Sequence, residues 1–326
     1  MEAISITRRT IATSMINRTT TIALSLLLMI PAIVGTVNVW ADNFFGTSGP
    51  DTITGTNNDD NIFGRGGNDN LLGRGGDDYI EGNDGNDRIR DGLGSDNIWA
   101  GNGDDTITLD GVGEEENNNN DRPGFDEVHG QAGKDIVSVD DDDSAGYFLI
   151  YGGDQDDNIT ATATFSHGRI YGDAGNDHIS SCCDADYDVW GGLGNDNIEG
   201  SSECAISHAY GGPGNDRIGS PSDFTSGGGG NDIIEFADCG GVAYGGAGND
   251  QMRGGDVRVE LHGGSGDDIL RGSDSGDPDK LFGDDGNDTL TGGEGATSFS
   301  CGPGTDTITN FDASKGDTKT ADCESF

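Results

Sequence analysis

The feature that most constrains this chain is an aspartate that recurs every nine residues, with no insertion or deletion, between Gly46 and Thr108. Two residues after each aspartate comes an aliphatic side chain, and two residues before it usually comes a glycine. The aspartates are Asp51, Asp60, Asp69, Asp78, Asp87, Asp96 and Asp105, and the aliphatic residues are Ile53, Ile62, Leu71, Ile80, Ile89, Ile98 and Ile107. A fixed period of this length predicts stacked structural repeats.

Each unit divides into a six-residue turn and a three-residue strand, as in Gly73 to Asp78 followed by Tyr79 to Glu81. The fourth place of the turn is glycine, or Asn58 in one unit, because a positive φ costs these residue types least. In the strand, side chains alternate between faces, so the aliphatic residue points inward. The turn offers carbonyl oxygens and one carboxylate, about half of the six to eight oxygens that calcium takes. A neighbouring turn must supply the other half.

With these residues at these places, the stretch resembles the RTX, or haemolysin-type, calcium-binding nonapeptide repeat. The resemblance implies an all-β fold, a right-handed parallel β-roll in which two nonapeptides form one coil and turns stack along both edges. It also implies that each calcium ion lies between successive turns of one edge. A disordered polar linker is the alternative for such a composition, but disorder does not require an aliphatic residue in every unit.

The motif returns after residue 129, and the spacing of its aspartates then lies between 16 and 22 residues, which is about one complete coil. These later aspartates are Asp135, Asp157, Asp177, Asp196, Asp216, Asp232, Asp250, Asp268, Asp288 and Asp306. The half-coils between them often keep their length and lose their ligands. Val259, for example, stands where an aspartate would be, and so does Thr297.

Counting half-coils from Gly46 predicts two unequal edges. One edge carries fourteen turns, and the opposite edge carries the three turns of Asp60, Asp78 and Asp96, followed by irregular loops. All seventeen aspartates are predicted calcium ligands. If each ion is shared between neighbouring turns, as the resemblance implies, the chain holds at most about 15 calcium ions.

Composition and charge agree with this prediction. Only 31% of the residues are hydrophobic, against roughly 45 to 50% in ordinary globular domains, so a conventional compact core is not expected. The formal net charge of −43 opposes compaction unless cations neutralise it. A charge of this sign also excludes nucleic acid as a partner.

The N-terminal segment has the features of an export signal. Arg8, Arg9 and Arg18 precede an uncharged run from Thr19 to Ala41, and the run ends in small residues of the kind that a signal peptidase accepts. We therefore expect a secreted, extracellular protein. The alternative is an uncleaved anchor, which would place the protein at the cell surface and is the one membrane contact predicted.

Five segments are predicted along the chain. They are a signal peptide or anchor in residues 1–41, regular repeats in 46–108, an acidic and Asn-rich insertion loop in 109–129, a roll with calcium turns on one edge in 130–309, and a capping tail in 310–326.

Six cysteines in an exported chain indicate disulfides. The segment from Cys301 to Cys323 resembles the closing segment of secreted haemolysin-type repeat proteins, and a Cys301–Cys323 disulfide there would pin the last strand. The other cysteines fall in irregular half-coils, and three pairings are open to them. The pairs favoured by reach across coils are Cys183–Cys204 and, over a longer distance, Cys182–Cys239.

An aromatic residue precedes the first glycine of most later motifs. These residues are Tyr151, Tyr171, Trp190, Tyr210, Tyr244, His262 and Phe282. We interpret them as a ladder that covers the sheet and reinforces neighbouring strands. The alternative is a platform that binds sugars.

No catalytic constellation is present, since the five histidines are scattered and no H-E-x-x-H motif occurs. The favoured prediction is therefore a non-enzymatic, secreted calcium-binding repeat protein with a structural or cell-surface interaction role. Calcium is its predicted partner, together with extracellular polysaccharide or cell-surface components. The alternative is a polysaccharide-active enzyme or carbohydrate-binding module, in which Asp184, Asp186 and Asp188 would supply acid and base.

Overall fold

The computed structural model describes residues 41–110, 124–140, 146–162, 167–182, 186–201 and 206–323. These residues form β-strands and no helix, so the described part of the chain contains no helical membrane span. The predicted signal segment lies outside the described residues, apart from Ala41. It stays a prediction.

Two long parallel sheets contain all the strands. Sheet 1 has fifteen strands: β1 Asp42–Phe45, β3 Asp60–Gly66, β5 Tyr79–Asp84, β7 Asn97–Asn102, β9 Phe125–Ala132, β11 Tyr147–Asp154, β13 His167–Ala174, β15 Asp186–Leu193, β17 Ile206–Pro213, β19 Pro221–Gly229, β21 Gly241–Ala247, β23 Val259–Ser265, β25 Asp279–Asp285, β27 Thr297–Ser300 and β29 Thr318–Lys319. Sheet 2 has fourteen: β2 Thr52–Thr54, β4 Asn70–Gly75, β6 Arg88–Leu93, β8 Thr106–Leu109, β10 Ile136–Val139, β12 Asn158–Ala161, β14 His178–Ser181, β16 Asn197–Glu199, β18 Arg217–Gly219, β20 Ile233–Glu235, β22 Gln251–Arg253, β24 Ile269–Arg271, β26 Thr289–Thr291 and β28 Thr307–Thr309.

Each strand pairs with the strand two places away in the chain, so two strands and two turns make one coil. In the regular stretch the register step is eighteen residues, as in the pairing of Asp42 with Asp60. Later coils keep the same pairing order although their lengths differ, as the pairings of Tyr147 with His167 and of His208 with Phe224 show, and the second of these pairs contains a register shift. The predicted all-β parallel solenoid is therefore confirmed.

The core is a pair of inward ladders, one from each sheet. In sheet 2 the stacked residues include Ile179, Ile198, Ile218, Ile234, Met252 and Leu270. In sheet 1 they include Ile170, Val189, Ala209, Thr225, Ala243 and Leu261. The alternation of strand faces predicts such inward side chains, and the buried Thr225 is the polar member of the sheet 1 series. Burying one such aliphatic side chain contributes about 2 kcal/mol.

The predicted insertion loop of residues 109–129 is too long. Strand β9 begins at Phe125 and pairs in register with β7, so that Val128 lies beside Ile98. Strand β8 likewise continues to Leu109. The nonapeptide frame has therefore resumed by Asp126, which precedes Val128 by two residues as in the other units.

The C-terminal end of the roll is closed by a short strand and a disulfide. Strand β29 pairs with β27, and Cys301 is joined to Cys323 with a Cα–Cα distance of 5.1 Å. Cys182 and Cys239 are also disulfide-bonded. Because Cys183 and Cys204 lie outside the described residues, the predicted pairs Cys183–Cys204 and Cys182–Cys239 stay predictions.

The inward ladders predict that two isoleucines of sheet 2 contribute very differently to the stability of the roll. Ile198 is fully buried, whereas Ile269 is 50% exposed. We expect Ile198→Ala to destabilise the calcium-loaded roll by about 2 to 4 kcal/mol, since it leaves a cavity, and the matched Ile269→Ala to cost less than about 1 kcal/mol. Denaturant unfolding in saturating calcium measures both, and equal losses would contradict the assigned faces.

Candidate calcium sites

Fourteen aspartates form a continuous hydrogen-bonded ladder along one edge, which we call the aspartate edge. The backbone N–H of each donates to Oδ1 of the aspartate one coil further on, at 2.7 to 2.9 Å. The members are Asp51, Asp69, Asp87, Asp105, Asp135, Asp157, Asp177, Asp196, Asp216, Asp232, Asp250, Asp268, Asp288 and Asp306. This is the set that half-coil counting predicted.

The opposite edge has one more such turn than predicted. Asp60 donates to Asp78, Asp78 to Asp96, and Asp96 to Asp126, in the same geometry. Asp126 was missed because the frame is interrupted before it, although Gly124 and Val128 stand at the expected distances.

The ladder uses only one oxygen of each carboxylate. The other oxygen, Oδ2, is buried in fifteen of these aspartates and has no hydrogen-bond partner. They are Asp69, Asp78, Asp87, Asp96, Asp105, Asp135, Asp157, Asp177, Asp196, Asp216, Asp232, Asp250, Asp268, Asp288 and Asp306. Burying an ionised oxygen without a donor or a cation is costly, so this many unpartnered oxygens indicate bound cations.

Each Oδ2 converges with a main-chain carbonyl on one point beside the first glycine of the turn. A Cβ placed on Gly191 would lie 2.4 Å from Oδ2 of Asp196 and 2.7 Å from the carbonyl oxygen of Gly211, one coil on. We call this space an inter-turn site. Calcium binds oxygen at about 2.3 to 2.6 Å, so an ion near this point would contact both atoms.

The same convergence recurs at fourteen glycines, with distances from 2.2 to 2.9 Å. They are Gly46, Gly64, Gly82, Gly130, Gly152, Gly172, Gly191, Gly211, Gly227, Gly245, Gly263 and Gly283 on the aspartate edge, and Gly55 and Gly73 on the opposite edge. The residues present therefore fit calcium, because they combine a hard carboxylate oxygen with a carbonyl oxygen and leave room for the ion.

Without a cation, burial disfavours the charged form of these aspartates. Burial raises the pKa of Asp105 to about 8, and the pKa of Asp157 rises to about 8 for the same reason. Burial, followed by the neighbouring Asp96, raises the pKa of Asp78 to about 8. A folded carboxyl with a raised pKa stabilises the fold only at low pH, and that stability is lost as the pH rises from about 4 through the folded pKa. At neutral pH the ion-free roll is therefore destabilised.

In two turns near the C-terminal end of the opposite edge, Oδ2 of the aspartate has a hydrogen-bond donor. Oδ2 of Asp279 accepts a hydrogen bond from the backbone N–H of Ser273 at 2.8 Å, and the Ser273 hydroxyl donates to the same carboxylate. Oδ2 of Asp317 accepts one from the backbone N–H of Asp312. Protein donors therefore satisfy Oδ2 in both turns, as the backbone N–H and hydroxyl of Thr47 and of Thr56 do for Asp51 and Asp60 near the N-terminal end.

Among the described residues of the turns in the aspartate ladders, three stand in the place of the first glycine. Ala100 and Cys301 take its place on the aspartate edge, and Asp91 takes it on the opposite edge. By equivalence with Gly82 and Gly130, the Ala100 methyl group points into the space between Asp105 and the next coil, where the ion would lie. This turn interrupts the series of inter-turn sites while the aspartate ladder passes through it.

Two further features of the turns were not predicted. The second turn position has a positive φ as well as the fourth, and side chains such as Arg65 and Arg74 adopt it, at 78° and 92°. The fifth position forms a second ladder, in which the backbone N–H of Asn215 donates to Oδ1 of Asn195 and that of Asn231 to Oδ1 of Asn215. This ladder runs in the direction opposite to the aspartate ladder.

Comparison with known proteins agrees with this geometry. The model of the RTX calcium-binding nonapeptide repeat (4 copies) matches residues 45–80, 81–111, 169–181, 189–202, 244–277, 262–299 and 275–308. No curated protein matches the chain. The inter-turn sites at Gly130 and Gly211 lie outside the matched residues and still have the same arrangement of oxygens.

The geometry of the inter-turn site predicts the effect of a single methyl group. Gly191→Ala places Cβ where the ion would bind, so we expect one calcium ion fewer; Ala100→Gly removes such a methyl, so we expect one more. Gly219→Ala is the matched control, because its Cβ would meet nothing closer than 3.9 Å. Native mass spectrometry counts the ions, and an unchanged count in both variants would refute the site assignment.

Proposed function

The chain carries RTX calcium-binding nonapeptide repeats, and on that basis we propose that it is a secreted protein whose β-roll folds when calcium ions occupy its inter-turn sites. The observation that carries the proposal is the set of fifteen buried Oδ2 atoms with no hydrogen-bond partner. Its role is structural, or is an interaction at the cell surface, with the rigid roll as the element that calcium assembles.

Calcium acts here as a link between consecutive coils. Oδ2 of one turn and a carbonyl oxygen of the next would hold each ion, which would thereby join two segments that are separate in the unfolded chain. Where no site exists before folding, the free energy of binding is free energy of folding. The fourteen glycine-lined sites are close to the ceiling of about 15 ions that turn counting predicts.

The affinity of each site follows from its composition. One carboxylate and several neutral oxygens form a weakly charged ligand set, for which dissociation constants of about 10⁻⁴ to 10⁻³ M are typical in extracellular modules. Calcium at cytosolic concentrations would leave such sites empty. Folding would therefore follow export, which agrees with the predicted N-terminal signal.

The alternative function, binding or cleavage of polysaccharide, receives little support from the aromatic residues. Two runs of stacked rings lie along the outside of sheet 1, and Phe224 joins them through tilted contacts. The runs are Trp99, His129, Tyr151, Tyr171, Trp190 and Tyr210, and then Tyr244, His262 and Phe282. Tyr171 and Trp190, for example, are 4.5 Å apart and within 7° of parallel. Their faces cover one another, so mainly ring edges are left for a sugar, which stacks on faces.

The carboxylates of the alternative function also have other partners. Asp188 hydrogen bonds with His208 at 2.6 Å and lies near Arg169, and Asp186 lies 3.8 Å from His167. These pairs lie on the outer face of sheet 1. Asp184 lies outside the described residues. The pairs account for the two described carboxylates as surface ion pairs, and we favour the non-enzymatic role.

The decisive experiment is a calcium titration of the chain from residue 42, followed by circular dichroism. In chelator we expect a disordered spectrum, and with calcium a cooperative rise of the β-strand signal at about 10⁻⁴ to 10⁻³ M. Magnesium is the control ion, since it demands a small octahedral shell and should not replace calcium at equal concentration. A strand signal of full size in chelator would disprove calcium-driven folding.

A further inference from the structure

The turn that carries Asp91 differs chemically from every inter-turn site described above. Asp91 takes the place of the first glycine, so a carboxylate, and not open space, extends from that position. By equivalence with Gly55 and Gly73, it extends toward Asp96 of its own turn and toward the turn one coil on, which contains Asp126. One carboxylate oxygen of each of the three residues lies within 4.8 Å of the others.

All three side chains are buried: Asp91 is 0% exposed, Asp126 1% and Asp96 2%. Oδ2 of Asp91 and Oδ2 of Asp96 have no hydrogen-bond partner, and neither residue forms an ion pair within the described part of the chain. Burial, then Asp126 and then Asp96, raise the pKa of Asp91 well above its ordinary value. Burying the Oδ2 atoms of Asp91 and Asp96 without a donor is costly, and a cation bound among the three carboxylates would offset that cost.

The surrounding main chain holds the carboxylates in place. Oδ1 of Asp91 accepts hydrogen bonds from the backbone N–H of Gly92 at 2.6 Å and of Asp110 at 2.8 Å. Oδ1 of Asp96 accepts one from Asp78, and Oδ1 of Asp126 accepts one from Asp96. The bonds to Oδ1 of Asp91 and Asp96 fix these carboxylates and leave Oδ2 of each without a protein partner, and outer hydrogen bonds of this kind orient the ligands of metal sites.

We propose that Asp91, Asp96 and Asp126 form a three-carboxylate site that binds one calcium ion more tightly than the glycine-lined sites do. The inference rests on the proposed calcium-driven folding and adds a rank order of affinities to it. The affinity of calcium sites rises with the number of charged ligands, and no other place among the described residues brings three carboxylates together. It ranks first among the sites of the described residues.

The three-carboxylate site lies beside a long connection between two paired strands, which the tightly bound ion would stabilise. Asp96 and Asp126 are separated by thirty residues, against eighteen between regular coils. Closing a longer connection costs more conformational entropy, and an ion bound to both ends offsets that cost. The strongest cation contact therefore lies where the chain makes its longest step between paired strands.

The test is equilibrium dialysis of the chain from residue 42 with labelled calcium. We expect the wild type to bind one ion at least tenfold more tightly than the rest, and Asp91→Asn to weaken that ion at least tenfold. Asp277→Asn, which removes one charge from an exposed aspartate, is the control and should leave the tight ion unchanged. Asp91→Gly restores the repeat residue, so this variant should fold, keep its ion count and lose only the tight class.

The results separate the two proposals. If wild type binds calcium and folds but shows a single affinity class, or if the tight ion persists in Asp91→Asn and Asp91→Gly, the three-carboxylate site is refuted and calcium-driven folding stands. If calcium neither binds nor folds the chain, the proposed function itself fails.

Discussion

The structure depends on the aspartate Oδ2 atoms that are buried without a hydrogen-bond donor. Each half-coil contributes few large apolar side chains to the interior, so the two inward ladders form a thin core. Long series of aspartates lie at the edges of that core, close enough to donate hydrogen bonds to one another and to repel one another. This repulsion opposes the compact fold. The calcium ions proposed between the turns would remove it and also connect the coils, so charge neutralisation and assembly would be one event.

Much of this arrangement followed from the sequence, because the period of the repeat coincides with half a coil. Counting half-coils placed Asp196 and Asp216 on one edge, and the strand pattern placed Ile198 beside Ile218. These predictions needed no knowledge of which atoms meet. Only the alternation of strand faces and the fixed repeat length entered them.

The remaining features could not be predicted because they depend on contacts between coils. Asp126 lies thirty residues from Asp96, a step that a nine-residue frame does not anticipate. Asp91 has the same carboxylate as its neighbours, but its effect comes from the space beside the first glycine, which only the stacked turns define. The positive φ at Arg74 could not be predicted either, since arginine is not a residue type that favours such a conformation.

The turns of Asp279 and Asp317 end the opposite edge with protein donors, and Thr47 and Thr56 do the same for Asp51 and Asp60 at the N-terminal end. Near the C-terminal end of the opposite edge, serine and main-chain donors satisfy the carboxylates, and the Cys301–Cys323 disulfide covalently closes the last coil. In a stack where each coil contacts only its neighbours, order spreads from the coil that is easiest to form. The first coil has protein donors for Oδ2 in both of its turns, and the C-terminal coils have them on the opposite edge, together with the disulfide. In such a stack order would extend from the two ends into the acidic coils between them.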